Sequence, residues 1–436
     1  MESAAADTHT EHRPAPTLAE ATRVWARIGV LSFGGPAAQI ALMHREIVDE
    51  RGWLTEQQFL NALSFCMFLP GPEAMQLATY SGWRLHGTIG GLIAGLLFVL
   101  PGAAVILALG TIYAYFGDVP LVSALFLGVK ATVVLIVVEA LLRVAKKALS
   151  GTAHWIIAAL AFIGIFFLAL PFPLIIAAAA AYGFIFSRSA DGSSANANIG
   201  AGGSLGGTMS TIGVWLSIWV VPLGLVALLS PIPVLADIGL FFSKLAVVTF
   251  GGAYAVLAYM AQDVVNQFGW LSAGEMMDGL GLAETTPGPL ILVTEFVGFL
   301  AAFREGGFAL GVAGAVVALW ATFAPCFLWI FAGAPFIDWI GAQPRLKGAL
   351  SAISAAVVGV ILNLTIWFAL HVFFTSVEAK TSGPLVLWTP DLTSLDWRAV
   401  LLSAVCAVLL FRLHWDLMRV LAAASAGGAA LVFALG

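Results

Sequence analysis

The stretch Ser32-Phe33-Gly34-Gly35, followed by Gly52-Trp53-Leu54 and Pro70-Gly71-Pro72, decides how this chain folds, because it occurs a second time. The second copy reads Thr249-Phe250-Gly251-Gly252, Gly269-Trp270-Leu271 and Pro287-Gly288-Pro289. All three clusters are displaced by the same number of residues (287 − 70 = 217). Three clusters in one register indicate an internal duplication.

Pro-Gly-Pro cannot continue an α-helix, because proline lacks a backbone N–H and excludes the preceding residue from the helical region. Both flanks are apolar, so each copy predicts a helix broken at membrane depth, inside protein or beside a watery cavity. A new helix after the second proline would point free N–H groups and its positive dipole end at the break, which suits an anion. Matching broken helices in two repeats indicate the binding site of a secondary transporter. The alternative is ordinary loops between short surface helices.

The composition is that of a polytopic membrane protein: of 436 residues, 61% are hydrophobic and only 10% are charged. The net charge of −5 gives no indication of a nucleic-acid partner. The three cysteines lie far apart and form no metal-ligand spacing. Nucleotide-binding and hydrolase motifs are missing, so we expect no enzyme activity, no cofactor and no metal. Transport would then be driven by an ion gradient or the membrane potential.

The sequence predicts an all-α polytopic membrane protein of two homologous repeats, each with a re-entrant hairpin whose tip is Pro-Gly-Pro. Residues 1–17 are polar and predict a disordered tail. The N-terminal transporter repeat is predicted at 18–187 and the C-terminal one at 211–436. The Gly/Ser/Asn-rich segment 188–210 predicts a flexible linker between them. Polar residues 376–397 predict an exposed loop.

The positions of the cations predict that the second repeat is inverted in the membrane. The late long helix of the first repeat ends in Arg143, Lys146 and Lys147, whereas that of the second begins with Arg345 and Lys347. Lysine and arginine favour the cytoplasmic side. The exchange of ends therefore favours two repeats related by an axis in the membrane plane.

Three cations are candidates for the anion site. Arg27 and Lys244 occupy equivalent positions (244 − 27 = 217), one before each Phe-Gly-Gly. A cation inside the membrane is costly and usually has a functional partner, although both could also extend to the interface. Lys130 is flanked by apolar residues and predicts a substrate or gating charge. Its pairing with Glu139 is disfavoured, because nine residues separate them along one helix.

Three carboxyl groups, Glu73, Glu284 and Glu295, are candidates for proton coupling, since a carboxyl group beside an anion site holds a proton more readily. Glu73 could equally be a first-turn acid that matches a helix dipole. Amide and hydroxyl donors near the breaks suit an oxygen-rich ligand. The full predicted substrate site is Arg27, Gly34, Gly35, Pro70, Gly71, Pro72, Glu73, Gln76, Lys130, Lys244, Gly251, Gly252, Thr286, Pro287, Gly288 and Pro289.

These motifs resemble the chromate ion transporter family. The resemblance is carried by Ser-Phe-Gly-Gly-Pro at 32–36, Gly-Trp-Leu at 52–54, Pro-Gly-Pro-Glu-Ala at 70–74, Gln-Leu-Ala-Thr at 76–79 and Ala-Glu-Thr-Thr-Pro-Gly-Pro-Leu at 283–290. It covers nearly the whole chain after residue 18. It implies a multi-pass protein of the bacterial inner membrane that exports chromate, as an antiporter, and confers chromate resistance.

Two alternatives remain open at this stage. One is a proton-coupled transporter of sulfate or a related oxyanion, since sulfate is the structural analogue of chromate. The other is a membrane-embedded enzyme acting on a lipid phosphate, which would need an Asp/His cluster that the sequence does not show. The expected partners are therefore the oxyanion and the lipid bilayer, and a homodimer is compatible with the sequence.

Overall fold

The first repeat starts with three short helices and continues with two long ones. Its helices are α1 (Leu18–Leu31), α2 (Gly35–His44), α3 (Glu56–Phe68), α4 (Glu73–Phe116), α5 (Pro120–Ala148), α6 (Thr152–Phe166) and α7 (Phe172–Phe186). This computed structural model describes residues 16–117, 119–186, 205–250, 253–341 and 343–435. Nearly all of the predicted tail lies outside the described residues, and so do Gly251 and Gly252 of the predicted site.

The second repeat repeats this order after one additional helix. Its helices are α8 (Leu205–Leu229), α9 (Pro233–Val248), α10 (Ala253–Gln262), α11 (Ala273–Thr285), α12 (Val293–Gly333), α13 (Ile337–Gly341), α14 (Pro344–Phe373), α15 (Trp397–Ala407) and α16 (Leu417–Leu435). Helix α8 includes residues 205–210, which the sequence assigned to the linker. The remainder of the linker, 188–204, lies outside the described residues.

The helices that lead into the two breaks start in the same way. Thr55 caps α3, with its side chain accepting from the Gln58 N–H and the Gln58 side chain accepting from the Thr55 N–H. Ser272 and Glu275 form the same reciprocal cap on α11. Such capping boxes satisfy N–H groups that the first turn of a helix leaves unpaired. Each helix then ends immediately before its Pro-Gly-Pro, as predicted.

The long helices α4 and α12 each consist of two arms. The backbone leaves the helical conformation at His86–Gly87 in α4 and at Gly306–Gly307 in α12. In α4 the arms fold back on each other, because a Cβ at Gly90 would lie 2.3 Å from the carbonyl oxygen of Gly82. The bend in this helix is thus at Gly87, whose φ is +61°, while Pro101 lies within the second arm.

The outer helices of each repeat pack on the late long helix of the other. Helices α6 and α7 contact α14, and α15 and α16 contact α5. The approach is close: a Cβ at Gly128 of α5 would lie 2.0 Å from the Ala424 carbonyl oxygen, and one at Gly183 of α7 would lie 2.2 Å from the Gly348 carbonyl oxygen. Small residues permit such helix contacts in membranes. The outer helices of each repeat therefore cover the late long helix of the other repeat.

Within the described residues, six helices are long and apolar enough to cross a membrane. They are 73–116, 120–148, 206–229, 290–336, 344–373 and 417–434. Helices α6 and α7 are apolar but shorter. The polytopic helical fold predicted from the sequence is confirmed.

The segment predicted as an exposed loop at 376–397 is instead largely structured. Strands β1 (Val377–Ser382) and β2 (Leu385–Pro390) form an antiparallel hairpin. The turn uses Gly383 at φ +60°, and the N–H of Val386 donates to the Phe167 carbonyl oxygen. The polar composition hid the strands, because a hairpin on the protein surface need not alternate polar and apolar residues.

We predict that Gly102→Ala destabilises the protein by about 1–3 kcal/mol, the usual cost of overfilling a packed site. A Cβ there would lie 2.1 Å from the carbonyl oxygen of Pro287, so the second break would have to move. The measurement is thermal unfolding of the purified protein in detergent. The matched control is Gly224→Ala in α8, where a Cβ meets nothing within 4 Å and alanine favours the helix. Equal unfolding temperatures for the two variants would contradict the packing described here.

We also predict a pH-dependent contribution to stability from His44, the last residue of α2, which lies outside the membrane-spanning helices. Its Nε2 lies 2.6 Å from Glu56 Oε2 and its Nδ1 lies 3.2 Å from Asp49 Oδ2. The hydrogen bond with Glu56, reinforced by Asp49, raises the pKa of His44 above its ordinary 6.5. A raised folded-state pKa stabilises the protein below the unfolded pKa, and this is lost as the pH rises through the folded value.

Thermal unfolding of wild type, His44→Gln and Glu56→Gln between about pH 6 and about pH 9 checks this linkage. The difference in unfolding temperature between the wild type and either variant should become smaller as the pH rises. Parallel curves for all three proteins would exclude a titrating His44.

Candidate functional site

Backbone hydrogen bonds join each Pro-Gly-Pro to the other repeat. The N–H of Gly71 donates to the carbonyl oxygen of Thr249 at 2.9 Å, and the N–H of Gly288 donates to that of Ser32 at 2.8 Å. Both donors and both acceptors are equivalent positions (288 − 71 = 249 − 32 = 217). In each repeat, the carbonyl group that follows α1 or α9 thus accepts the glycine N–H of the Pro-Gly-Pro in the opposite repeat. Both interruptions lie at the interface between repeats.

Two glutamine side chains hold the breaks, and they do so differently in the two halves. Gln39 donates from Nε2 to the Gly288 carbonyl oxygen at 2.7 Å, while Gln76, a predicted site residue, donates to the Pro70 carbonyl oxygen at 2.7 Å. Gln39 was missed by the prediction, because nothing in its local sequence marks it as contacting a break 249 residues away. The second break is further packed against Gly102.

The first break opens into a cavity of about 470 Å³. Gly71 and Glu73 line it, so it reaches the start of α4. Its wall also contains two pairs of equivalent positions, one from each repeat: Pro36 with Ala253, and Ala37 with Tyr254. A cavity lined by equivalent residues of both repeats lies between them, which is where secondary transporters bind their substrates. We call this the central cavity.

Two cations line the central cavity, Arg143 and Lys147, one turn apart at the end of α5. Arg143 also pairs with Glu139. The helix α4 begins at Glu73, and its first intrahelical bond runs from the N–H of Gln76 to the Pro72 carbonyl oxygen. The earlier N–H groups of this turn give the cavity a positive helix end.

Arg143, Lys147 and Tyr254 are absent from the predicted site. The cations were interpreted as markers of membrane orientation, and only the packing of α5 against the start of α14 brings them to the first break. Tyr254 has Ala37 as its counterpart, so the repeat pattern did not single it out.

A carboxyl group lies directly behind the cavity wall. The hydroxyl of Tyr254 donates to Oε1 of Glu284 at 2.8 Å, and Glu284 is buried. Glu284 was a predicted proton-coupling residue, and the structure connects it to the cavity through one hydrogen bond. Glu295, the third such candidate, is buried in α12 and its Oε2 has no hydrogen-bond partner among the described residues.

Arg27 and Lys244 contact protein groups other than the breaks. Arg27 Nε lies 3.6 Å from Oε1 of the buried Glu46, and Lys244 Nζ lies 5.4 Å from the centroid of the Tyr259 ring. Neither is among the described residues that line the central cavity. The acid that faces Arg27 has its counterpart in Asp263 (263 − 46 = 217), so a cation and an acid recur together in each repeat.

The remaining predicted residues have mainly structural contacts. Gly34 and Gly35 adopt φ of +84° and +78° in the turn between α1 and α2, a conformation that favours glycine. The Thr286 hydroxyl donates to the Ala283 carbonyl oxygen. After Pro289 the chain forms a 3-10 turn at Leu290–Leu292 rather than a regular α-helical start. The N–H groups of Gly71 and Gly288 are already paired, so they do not contribute to an anion site.

Lys130 lies in a different place from the central cavity. Its Nζ is 3.3 Å from Oδ2 of Asp278 on α11, and both side chains line a second cavity of about 430 Å³. Asp278 was not predicted, although an acid in the predominantly apolar stretch 276–283 was a usable signal.

Residues 19–184 and 236–430 match the chromate transporter family. The chain belongs to the chromate transporter family. The two matched segments correspond to the two repeats, and α8 lies between them.

Several relatives are similar over most of their length. The chromate transport protein of Pseudomonas aeruginosa is 31% identical over 84% of this chain and 84% of its own. That of Cupriavidus metallidurans is 30% identical over 84% of this chain and 86% of its own. The probable chromate transport protein of Synechococcus elongatus is 28% identical over 81% of this chain and 85% of its own. No solved structure matches the chain significantly.

Proposed function

We propose that this member of the chromate transporter family exports chromate from the cytoplasm across a bacterial inner membrane and confers chromate resistance. One observation carries the proposal: the central cavity lies between the repeats and combines Arg143, Lys147 and the positive start of α4. The similarity to chromate transport proteins supports the choice of oxyanion.

The charges of the cavity suit a dianion. Removing an anion from water costs several kcal/mol per charge unless opposite charges and hydrogen bonds replace the hydration. Lys147 supplies one positive charge, Arg143 supplies a second that it shares with Glu139, and the first turn of α4 supplies N–H donors. Part of the wall is apolar, with Leu63 and Ile361 among its residues. Chromate is larger and less strongly hydrated than sulfate, so a partly apolar wall favours chromate.

Alternating access requires two repeats that can exchange their exposure, and the arrangement of α5 and α14 supports an inverted pair. These helices are equivalent, since Pro120 and Pro344 both occupy the first turn (344 − 120 = 224). The end of α5 at Lys147 meets the start of α14 at Ser351 and Ser354 in the cavity wall. Such a contact is what two equivalent helices that run in opposite directions would make, which supports the proposed inversion. We infer that rocking of one repeat against the other opens the cavity to each side in turn.

Coupling to protons would use the carboxyl groups next to the anion. Glu73 lines the cavity and Glu284 reaches it through Tyr254. A proton on either group lowers the repulsion that a bound dianion meets. We propose that Arg27 and Lys244 act in support, by fixing α1 and α9, whose following residues Ser32 and Thr249 hold the breaks.

We predict that Arg143→Gln and Lys147→Gln each lower chromate flux in proteoliposomes about tenfold or more, because a lost charged hydrogen bond costs about 1.5–3 kcal/mol. The matched control is Lys146→Gln, which removes the same charge from an exposed side chain that is not among the described lining residues. Wild-type flux in both cavity variants, at equal reconstitution, would remove the central cavity as the substrate site.

We further predict that chromate flux survives an excess of sulfate. With sulfate at about ten times the chromate concentration, more than about half of the flux should remain, because the apolar part of the wall disfavours the more hydrated ion. The assay is run with pH gradients of both directions, which also reports coupling. Complete inhibition by sulfate, with sulfate flux following the proton gradient, would support the alternative, a proton-coupled sulfate transporter.

A further inference from the structure

A second cavity lies between the end of α4, the first half of α5 and the start of α11. Its volume is about 430 Å³, and it shares none of its described lining residues with the central cavity. Lys130 and Asp278 contact each other in its wall, with Nζ 3.3 Å from Oδ2. The proposed function makes no use of this charged pair.

Few groups compensate the negative charge of the buried Asp278 carboxylate. Its side chain is 4% exposed, and Oδ2 accepts from the Tyr113 hydroxyl at 2.8 Å as well as facing Lys130. The other oxygen, Oδ1, has no hydrogen-bond partner among the described residues, although Asp278 lines the cavity. A buried carboxylate whose charge is balanced by one lysine becomes costly as soon as that lysine is engaged elsewhere.

Lys130 occupies a position that attracts an anion. A Cβ at Gly274 would lie 3.1 Å from its Nζ, so the ammonium group lies beside the first turn of α11. A cation at the positive end of a helix is unfavourable alone. The capping box at this end involves the N–H groups of Ser272 and Glu275 and not those of Ala273 and Gly274. Lysine and amides together favour a negative ligand, and here that ligand is the carboxylate of Asp278.

The pair has no charged counterpart at the equivalent place in the molecule. The position equivalent to Asp278 is Asn61 (278 − 61 = 217), and that equivalent to Lys130 is Ser354 (354 − 130 = 224). Both charges are replaced together by neutral polar residues. The Lys130–Asp278 pair is therefore present at one of the two equivalent places, and neutral polar residues stand at the other.

We propose that this cavity is a second station for the oxyanion, in which the anion replaces Asp278 on Lys130 while Asp278 takes up one proton from water. The proposal rests on the proposed function for the identity of the anion. No bond within the oxyanion breaks; a hydronium ion or buffer acid in the surrounding water gives up a proton, and that proton forms the new O–H bond on the carboxyl group.

The charges around Asp278 make the two binding events favour each other. The groups that face it are Lys130 on α5, Tyr113 on α4 and Glu275 on its own helix, and Glu275 is paired with Arg304 on α12. Among the described residues Lys130 is the cation in direct contact. An anion that takes Lys130 strengthens proton binding at Asp278, and by reciprocity a proton on Asp278 strengthens anion binding.

The test compares wild-type protein with Asp278→Asn, Lys130→Gln and the double variant Lys130→Ser/Asp278→Asn. Chromate binding to the full-length protein in detergent is measured by calorimetry, and proton uptake is measured with a pH indicator in weak buffer. Chromate itself takes up a proton near neutral pH, so the difference between wild type and variant isolates Asp278. Wild type should take up about one more proton per chain at saturation than either variant that lacks Asp278.

Each variant has a distinct expected result. Asp278→Asn should bind chromate at the second station without that proton, Lys130→Gln should lose this station, and the double variant should keep only the central cavity. Glu378→Gln, in the exposed β1 strand, is the charge control and should behave as wild type. If Asp278→Asn does not fold, the double variant, with the neutral residues already present at 61 and 354, replaces it.

Equal proton uptake by wild type and the variants lacking Asp278, or unchanged chromate binding in Lys130→Gln, would overturn the second station. Loss of chromate binding in Arg143→Gln/Lys147→Gln together with wild-type behaviour in the double variant would leave the proposed function standing and reject this inference. Absence of chromate binding to wild type would reject both.

Discussion

The hydrogen bonds from Gly71 to Thr249 and from Gly288 to Ser32 are the constraint on which the rest of the structure depends. Inside a bilayer a backbone N–H without a partner costs several kcal/mol, so a helix can be interrupted only where something else accepts the hydrogen bond. In this protein the acceptor comes from the other repeat. Neither half can present its break correctly alone, and any motion between the repeats acts directly on both breaks.

The outer helices also make contacts between the two repeats. Helices α15 and α16 of the second repeat cover α5, and α6 and α7 of the first repeat cover α14. Glycines such as Gly128 bring these helices into direct backbone contact. The two late long helices are thereby held side by side, and the charged end of α5 reaches the interface between the repeats.

Within this paired frame the two breaks have diverged. The second is closed by Gln39 and by the approach of Gly102, whereas the first opens into the central cavity with Arg143 and Lys147. The charged pair of Lys130 and Asp278 likewise occurs at one end only. Under the proposed function, these unequal sites would let one place hold the dianion while another exchanges a proton.

The sequence by itself determined the helical membrane fold, the duplication and the positions of the breaks. These follow from local rules: apolar runs favour membrane helices, and Pro-Gly-Pro ends the helix that precedes it. It also marked Glu73, Glu284 and Lys130, because ionisable residues in apolar stretches stand out. It placed Arg27 at the anion site, although that side chain faces Glu46.

Only the tertiary structure decided which charges share a cavity. Arg143 reaches the first break, and Asp278 reaches Lys130, through contacts between helices that are more than 70 residues apart in the chain. Such pairings depend on how helices cross and which faces meet, and no local pattern encodes that. The sequence therefore specified where the helices end, and the packing of one repeat against the other specified which residues surround the two breaks.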